Sequence, residues 1–302
     1  MDNIRMDSKA AWMPPDVKLV KRGLEPTACP GELSMSHASH QSASHGSVAL
    51  SQSYLESLLA GDRIIARKLV ENSLSNGSTP FQMLTTLVWP TMELMQTLYR
   101  EDRITIAMLN MATRLNRSLT DQLTAQLPKK EPNGKNVLIF CGNAEPEELG
   151  GQICADMFEA DGYSVRFAGG GVPDDEVLKL IGDTRPELLL MFGTLPTGVP
   201  AVRKLIDYLR EVNSCPDMQI MCCGGIYKRA EGLAEEIGAD LYAPDAATAV
   251  EVANENPSKK ATIEQQTVGR TRRIRKAAAR KTAKVTRTQK IESTDLPITR
   301  AA

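Results

Sequence analysis

Residues able to do chemistry are few and oddly placed in this chain. Glu145, Glu147 and Glu148 follow a short apolar run at 136–141. A carboxylate pair can serve general acid/base chemistry, but no partner base stands near these three, and favourable charge at a helix N-terminus explains them more simply. All three histidines, His37, His40 and His45, fall in one Ser-rich stretch. Their spacing is that of a weak metal trap at most, and linker composition accounts for it better. No other segment contains histidine, which removes imidazole acid/base catalysis, Ser-His-Asp triads and zinc sites from any domain outside that stretch.

The six cysteines, Cys29, Cys141, Cys154, Cys215, Cys222 and Cys223, are even in number, but several sit in or beside apolar patterns. Reduced, buried thiols are expected, rather than a disulfide framework. Gly169-Gly170-Gly171 reads as a turn before it reads as a phosphate cradle. There is no Gly-x-Gly-x-x-Gly after the first strand and no phosphate-loop lysine, so nucleotide and dinucleotide sites are excluded as leading readings. The first strand ends in Cys141-Gly142-Asn143, without the acidic pair a phosphoryl-accepting receiver uses for magnesium.

The chain has 302 residues and a formal net charge of −1. That balance averages two opposites. Residues 258–302 hold thirteen Lys/Arg against three acids, which leaves −11 for everything before them. Within 268–290 stand ten Lys/Arg and no acid, interleaved with Ala and Thr and without aromatics. This basic tail suits phosphate contact with a nucleic acid, or an acidic protein, without base stacking. The N-terminal region has neither a signal-peptide pattern nor a membrane span, so a cytoplasmic protein without membrane contact is expected, and a homo-oligomer is compatible with the sequence.

The elements that must position these residues follow from periodicity. Residues 1–48 read as a disordered leader. Residues 50–128 show four amphipathic helices with short loops, a four-helix bundle: Tyr54, Leu55, Leu58 and Leu59; Ile65, Ala66, Leu69 and Val70 after the cap Asp62; a third helix opening at Ser78-Thr79-Pro80 and kinked at Pro90; and a fourth with Ile106, Leu109, Thr113, Leu119 and Leu123. From 134 to 254 the pattern alternates strand and helix: strands at 136–141, 163–167, 188–192, 219–222 and 241–242, helices beginning near Glu147 and Asp174 and spanning 200–210 and 229–237. This predicts an α/β domain, flavodoxin-like, with a doubly wound parallel five-stranded sheet whose ligand sits at the carboxyl ends of the strands. The loops there are 142–150, 168–173, 193–198, 224–226 and 243–245.

A helical bundle followed by such a domain resembles the cobalamin (B12)-binding module family: methionine synthase, corrinoid methyltransfer proteins and B12-dependent light-sensing regulators. The likeness spans about 54–252. It rests on Tyr54-Leu-Glu-Ser-Leu-Leu-Ala-Gly-Asp62, the turn Gly171-Val-Pro-Asp174, the pair Gly224-Gly225, and Ile237-Gly-Ala-Asp-Leu-Tyr-Ala-Pro-Asp-Ala246. The resemblance implies cobalamin as cofactor, with Gly224 and Gly225 along its nucleotide tail.

The family's cobalt-binding Asp-x-His-x-x-Gly, aligned on Gly150, appears here as Glu145-Pro-Glu147-Glu-Leu-Gly150, and a carboxylate is a poor match for the axial site of cobalt. The family's Ser-x-Leu after strand three appears as Phe192-Gly193-Thr194. The upper-ligand shield of the light sensors, Trp and Glu-His, is replaced by Tyr99 and Leu109-Asn110. With these motifs absent and no catalytic constellation found, the expected function is a non-enzymatic sensory or regulatory protein that binds cobalamin without a protein histidine. A corrinoid carrier in methyl transfer and a protein-binding scaffold are the alternatives.

Overall fold

The computed structural model describes residues 37–213 and 215–262. The leader up to residue 36, Cys29 and the basic tail from 263 onward lie outside them. Two compact units emerge: one comprises the chain up to Lys130 together with Ala144–Ala160, the other Glu131–Asn143 and the chain from Asp161.

The first unit is helical: α1 (His37–Leu59), α2 (Arg63–Ser75), α3 (Pro80–Met83), α4 (Trp89–Arg100), α5 (Ile106–Thr124) and α6 (Glu145–Ala160). Among the described residues the backbone is already helical at His37, so all three histidines lie on α1 and not in the leader expected to end at residue 48. Once the Tyr54–Leu59 stripe has nucleated a helix, propagation adds one hydrogen bond per residue, and the Ser/Ala-rich stretch does not stop it.

Local signals set the other boundaries. Asp62 accepts from the N–H groups of Ile64 and Ile65, both at 3.1 Å. Thr79 and Gln82 form a capping box, and Thr105 accepts from Met108 N. The kink expected at Pro90 is resolved as a π-helical turn, Leu84–Val88, in which Trp89 N–H reaches back to Leu84 O. The wider turn accommodates a ring that supplies no N–H and would crowd the carbonyl one turn before it. Tyr54, Leu58, Leu84, Met95, Leu119 and Leu123 are fully buried in the core of this unit. Tyr54 Oη donates to Asn116 Oδ1 at 2.7 Å, which satisfies the one polar atom of a ring with no solvent contact.

The second unit is a five-stranded sheet built from β1 (Asn136–Cys141), β2 (Ser164–Gly169), β3 (Leu188–Phe192), β4 (Gln219–Cys223) and β5 (Leu241–Ala243). Every pairing is parallel and the order is β2-β1-β3-β4-β5, the doubly wound flavodoxin-like order. Central strands β3 and β4 are buried at every position, which is why their sequences are continuous apolar runs without alternation. Register places Leu138, Leu189 and Ile220 side by side, then Phe140, Met191 and Cys222. On that face they pack with Val177 and Ile181 of α7 (Asp174–Thr184) and Leu205, Ile206 and Leu209 of α8 (Val199–Val212).

A single helix expected over 229–237 is instead two short ones, α9 (Gly225–Arg229) and α10 (Leu233–Glu236). Gly232, at φ +78°, turns the chain between them in a conformation that side-chain-bearing residues rarely adopt. The last helix, α11 (Ala246–Glu255), is capped by Asp245, which accepts from Thr248 N at 2.8 Å.

Beyond α11 the chain continues along the amino-terminal end of the sheet. Gln219 Nε2 donates to the carbonyls of Asn256 and Lys259, and Lys260 Nζ to those of Asp217 and Met218. The buried Asp240 carboxylate accepts from Ile220 N and Ala261 N and lies 2.6 Å from Arg210 Nη2. The composition of residues 258–302 predicts a basic disordered tail, but its first residues, 258–261, are pinned to the sheet.

Candidate functional site

In the second unit the strands end at Cys141, Gly169, Phe192, Cys223 and Ala243, and the glycine-rich turns gather after them. Backbone approaches backbone there. A Cβ on Gly170 would lie 2.4 Å from Gly142 O, and one on Gly224 would lie 2.5 Å from Gly193 O and 2.9 Å from the Phe192 ring. Gly224 also holds φ +109°, so no other residue fits its place. Ile226 N donates to Gly193 O, which ties the β3 turn to the start of α9.

The expected site residues of this unit come together. Phe192 and Thr194 are buried, and Gly225 faces Thr194 and Arg229. Tyr227, also buried, approaches Gly193. Phe192, Tyr227 and the glycines form an apolar, backbone-rich edge of the kind that holds a large organic ligand.

The expected residues of the first unit are placed differently from the sequence reading. Glu145, Glu147 and Gly150 were assigned to a loop ending at residue 150, with the helix starting near Glu147. Instead α6 begins at Glu145 and all three are helical. Three carboxylates in the first turn and a proline at its second position favour this start, and Ala144 O accepts from the N–H groups of both Glu147 and Glu148. Glu145 pairs with Arg117 at 3.6 Å and Arg114 at 3.8 Å, both on α5. Glu147 is only 4% exposed. Tyr99 stands exposed at the end of α4, and Asn110 is half-buried on α5.

Cys222 is buried, and burial pushes its thiol up to about 12, so it packs as a small apolar group and not as a nucleophile. None of the five cysteines among the described residues forms a disulfide. No group of three or more His, Cys, Asp or Glu among the described residues is arranged to hold a metal ion, and no described helix is long and apolar enough to cross a membrane.

Arg229 is a cation at this edge that the loop reading did not include. None of the loops 142–150, 168–173, 193–198, 224–226 and 243–245 contains Lys, Arg or His. Arg229 lies outside all of them, at the end of α9. Its guanidinium nevertheless reaches back across Gly225 and donates through Nη2 to Thr194 O. A Cβ on Gly225 would lie 2.9 Å from Arg229 Nη1, so the glycine makes room for the cation. The one available signal was an arginine four residues after a glycine at a helix start, where one turn brings the side chain back toward the strand ends.

Comparison with known proteins agrees with this architecture. Residues 50–124 match the model of a family described as a B12 binding domain. The chain is 23% identical over 192 residues to monomethylamine corrinoid protein 1 of Methanosarcina mazei, covering 62% of this chain and 87% of that protein. It is 31% identical over 126 residues to a corrinoid protein of Desulfitobacterium hafniense, 41% of this chain and 56% of the relative. The solved structure of the Methanosarcina barkeri monomethylamine corrinoid protein superposes with a TM-score of 0.60 at 20% identity, covering 67% of this chain and 95% of that one.

A helical unit joined to a doubly wound sheet with a glycine-lined carboxyl edge defines the class. Residues 50–124 match the B12 binding domain family and the chain is similar to corrinoid proteins, so the comparisons support a cobalamin-binding module with cobalamin as its cofactor. Gly193, Gly224 and Gly225 bring side-chain-free backbone to this edge beside the Phe192 and Tyr227 rings and the Arg229 guanidinium, and such a lining suits the organic periphery of that cofactor. The residues present do not offer cobalt an axial imidazole, because the aligned position is Glu147.

Proposed function

We propose that the protein is a corrinoid carrier in methyl-group transfer, holding cobalamin through backbone and apolar contacts at the strand ends and without a protein histidine on cobalt. The observation that carries this reading is the alignment with the monomethylamine corrinoid protein. At 192 residues it is longer than either the helical bundle or the α/β domain alone, so it takes in both. The dimethylamine corrinoid protein of Methanosarcina acetivorans, 25% identical over 131 residues, supports the same reading. The sensory or regulatory role expected from the lost motifs has no support among these relatives and is set aside. A nucleic-acid partner for residues 268–290 is likewise unsupported. The partner class that follows from a carrier is a methyltransferase acting on a methylated donor.

When bound, the corrinoid supplies a cobalt centre that accepts and releases a methyl group. The chain's own contribution is positional. Gly193, Gly224 and Gly225 bring the turn backbones together, with Phe192 and Tyr227 packed against them, Thr194 buried alongside and the Arg229 guanidinium over Gly225. With a carboxylate at the aligned position 147, the chain would supply no imidazole to a bound cobalt. The test is to soak the purified protein with hydroxocobalamin and record the visible spectrum after gel filtration. A coloured eluate that is methylated by a methyl donor in the presence of a strong reductant is expected. A colourless eluate sinks the reading, and a coloured one that resists methylation sinks the carrier role.

A further inference from the structure

Cobalamin carries one phosphodiester, in the link to its nucleotide base, and an anion brought to this edge of the sheet meets no cation from the five loops that line it. In the parts of those loops that belong to the second unit, 142–143, 168–173, 193–198, 224–226 and 243–245, the only ionisable side chain is the Asp245 carboxylate. The fold corrects this with a side chain from outside the loops. Arg229 spans from α9 to the β3 turn, its guanidinium lying over Gly225 and donating to Thr194 O. The contact anchors the cation at the junction of the two turns where backbone is barest, while the delocalised charge remains whatever its hydrogen bonds.

We propose that Arg229 is the phosphate-binding residue of the cofactor site, a specificity determinant that favours corrinoids with a complete nucleotide tail over those without one. This rests on the cobalamin-binding reading and adds a residue to it. A guanidinium is suited to the task because its planar fork matches a phosphate geometrically and stays ionised at any working pH. Gly225 takes part by omission, since any larger side chain there would displace the guanidinium.

The test compares two probes, hydroxocobalamin and cobinamide, the latter lacking the nucleotide tail and its phosphodiester. Affinities are measured by spectral titration for the wild-type chain, Arg229→Ala and Arg229→Lys. The alanine variant is expected to lose about tenfold or more in affinity for cobalamin, the scale of one charge-assisted hydrogen bond, and nothing for cobinamide. Lysine is expected to recover part of the loss. Equal weakening toward both probes, or none toward either, overturns the assignment, because it would mean that Arg229 only braces the two turns. Without any substitution, wild-type affinity for cobalamin is expected to fall with rising salt more steeply than that for cobinamide, and parallel salt dependences also overturn it. A wild-type chain that binds neither probe removes the cobalamin reading and this inference together, whereas cobalamin binding indifferent to residue 229 removes only the latter.

Discussion

Asp156, on α6, has one carboxylate oxygen buried without a hydrogen-bond partner. Burial raises its pKa to about 6, helped by the neighbouring Asp121 and Glu159 and opposed by a hydrogen bond from Thr124 and by Lys129. An acid whose folded-state pKa lies above its unfolded value penalises the fold when ionised. The penalty is complete above about pH 6 and is relieved as pH falls through 6 toward the unfolded value near 4. Asp156→Asn should therefore raise the melting temperature at about pH 7.5, with the gain shrinking to nothing by about pH 4. A gain that is constant with pH would mean that ionisation of Asp156 is not its cause. This carboxylate was not legible in the sequence, because nothing in Cys154-Ala155-Asp156-Met157 distinguishes a buried acid from a surface one. Arg229 was illegible for a related reason: the loops that line a strand-end site can be named from the pattern, but a side chain reaching in from the far end of a short helix cannot.

At the level of elements, the alternation of apolar runs and amphipathic stretches was enough to place every strand of the sheet and four helical stripes in the bundle. Periodicity reports which face is buried, and both layers obey it. What it missed depends on backbone detail: the π turn before Pro90, the start of α6 two residues early, and the break at Gly232. The glycines give a test of how the turns are built. Gly224→Ala should destabilise by about 1–3 kcal/mol, since its φ is strained for any other residue and the added carbon meets Gly193 O and the Phe192 ring. Gly198→Ala, with nothing within 4 Å of the added carbon and an ordinary φ, should be neutral or stabilising by up to about 1 kcal/mol. Chemical denaturation of both variants checks the contrast. Equal effects would show that crowding at the β4 turn is not what reserves position 224 for glycine.

Across the whole molecule, the charge divides between an acidic body and a cationic C-terminal segment, and residues 256–261 set where one passes into the other. The sequence suggested a boundary at about 258, on composition. The fold carries structural order further, because Asp240, with its side chain wholly buried, needs donors, and Ala261 N supplies one beside Ile220 N and the Arg210 guanidinium. Gln219 and Lys260 add four contacts to backbone carbonyls along the same stretch. A chain cut after residue 262 keeps all of these, whereas one cut after residue 255 leaves a buried carboxylate short of a donor and Gln219 without its carbonyls. The shorter form should be less stable than the longer by about 5–7 kcal/mol, at roughly 1 kcal/mol for each of the four hydrogen bonds of Gln219 and Lys260 and more for the one to a charge. Asp240→Ala in the full chain should cost about 3–5 kcal/mol, since it strands Arg210. All these contacts lie at the amino-terminal end of the strands and the cofactor edge at the carboxyl end. Cobalamin affinity, measured well below the melting temperature, should therefore be the same in the two truncated forms. A loss of affinity in the shorter one would show that this anchor is coupled to the site across the length of the sheet.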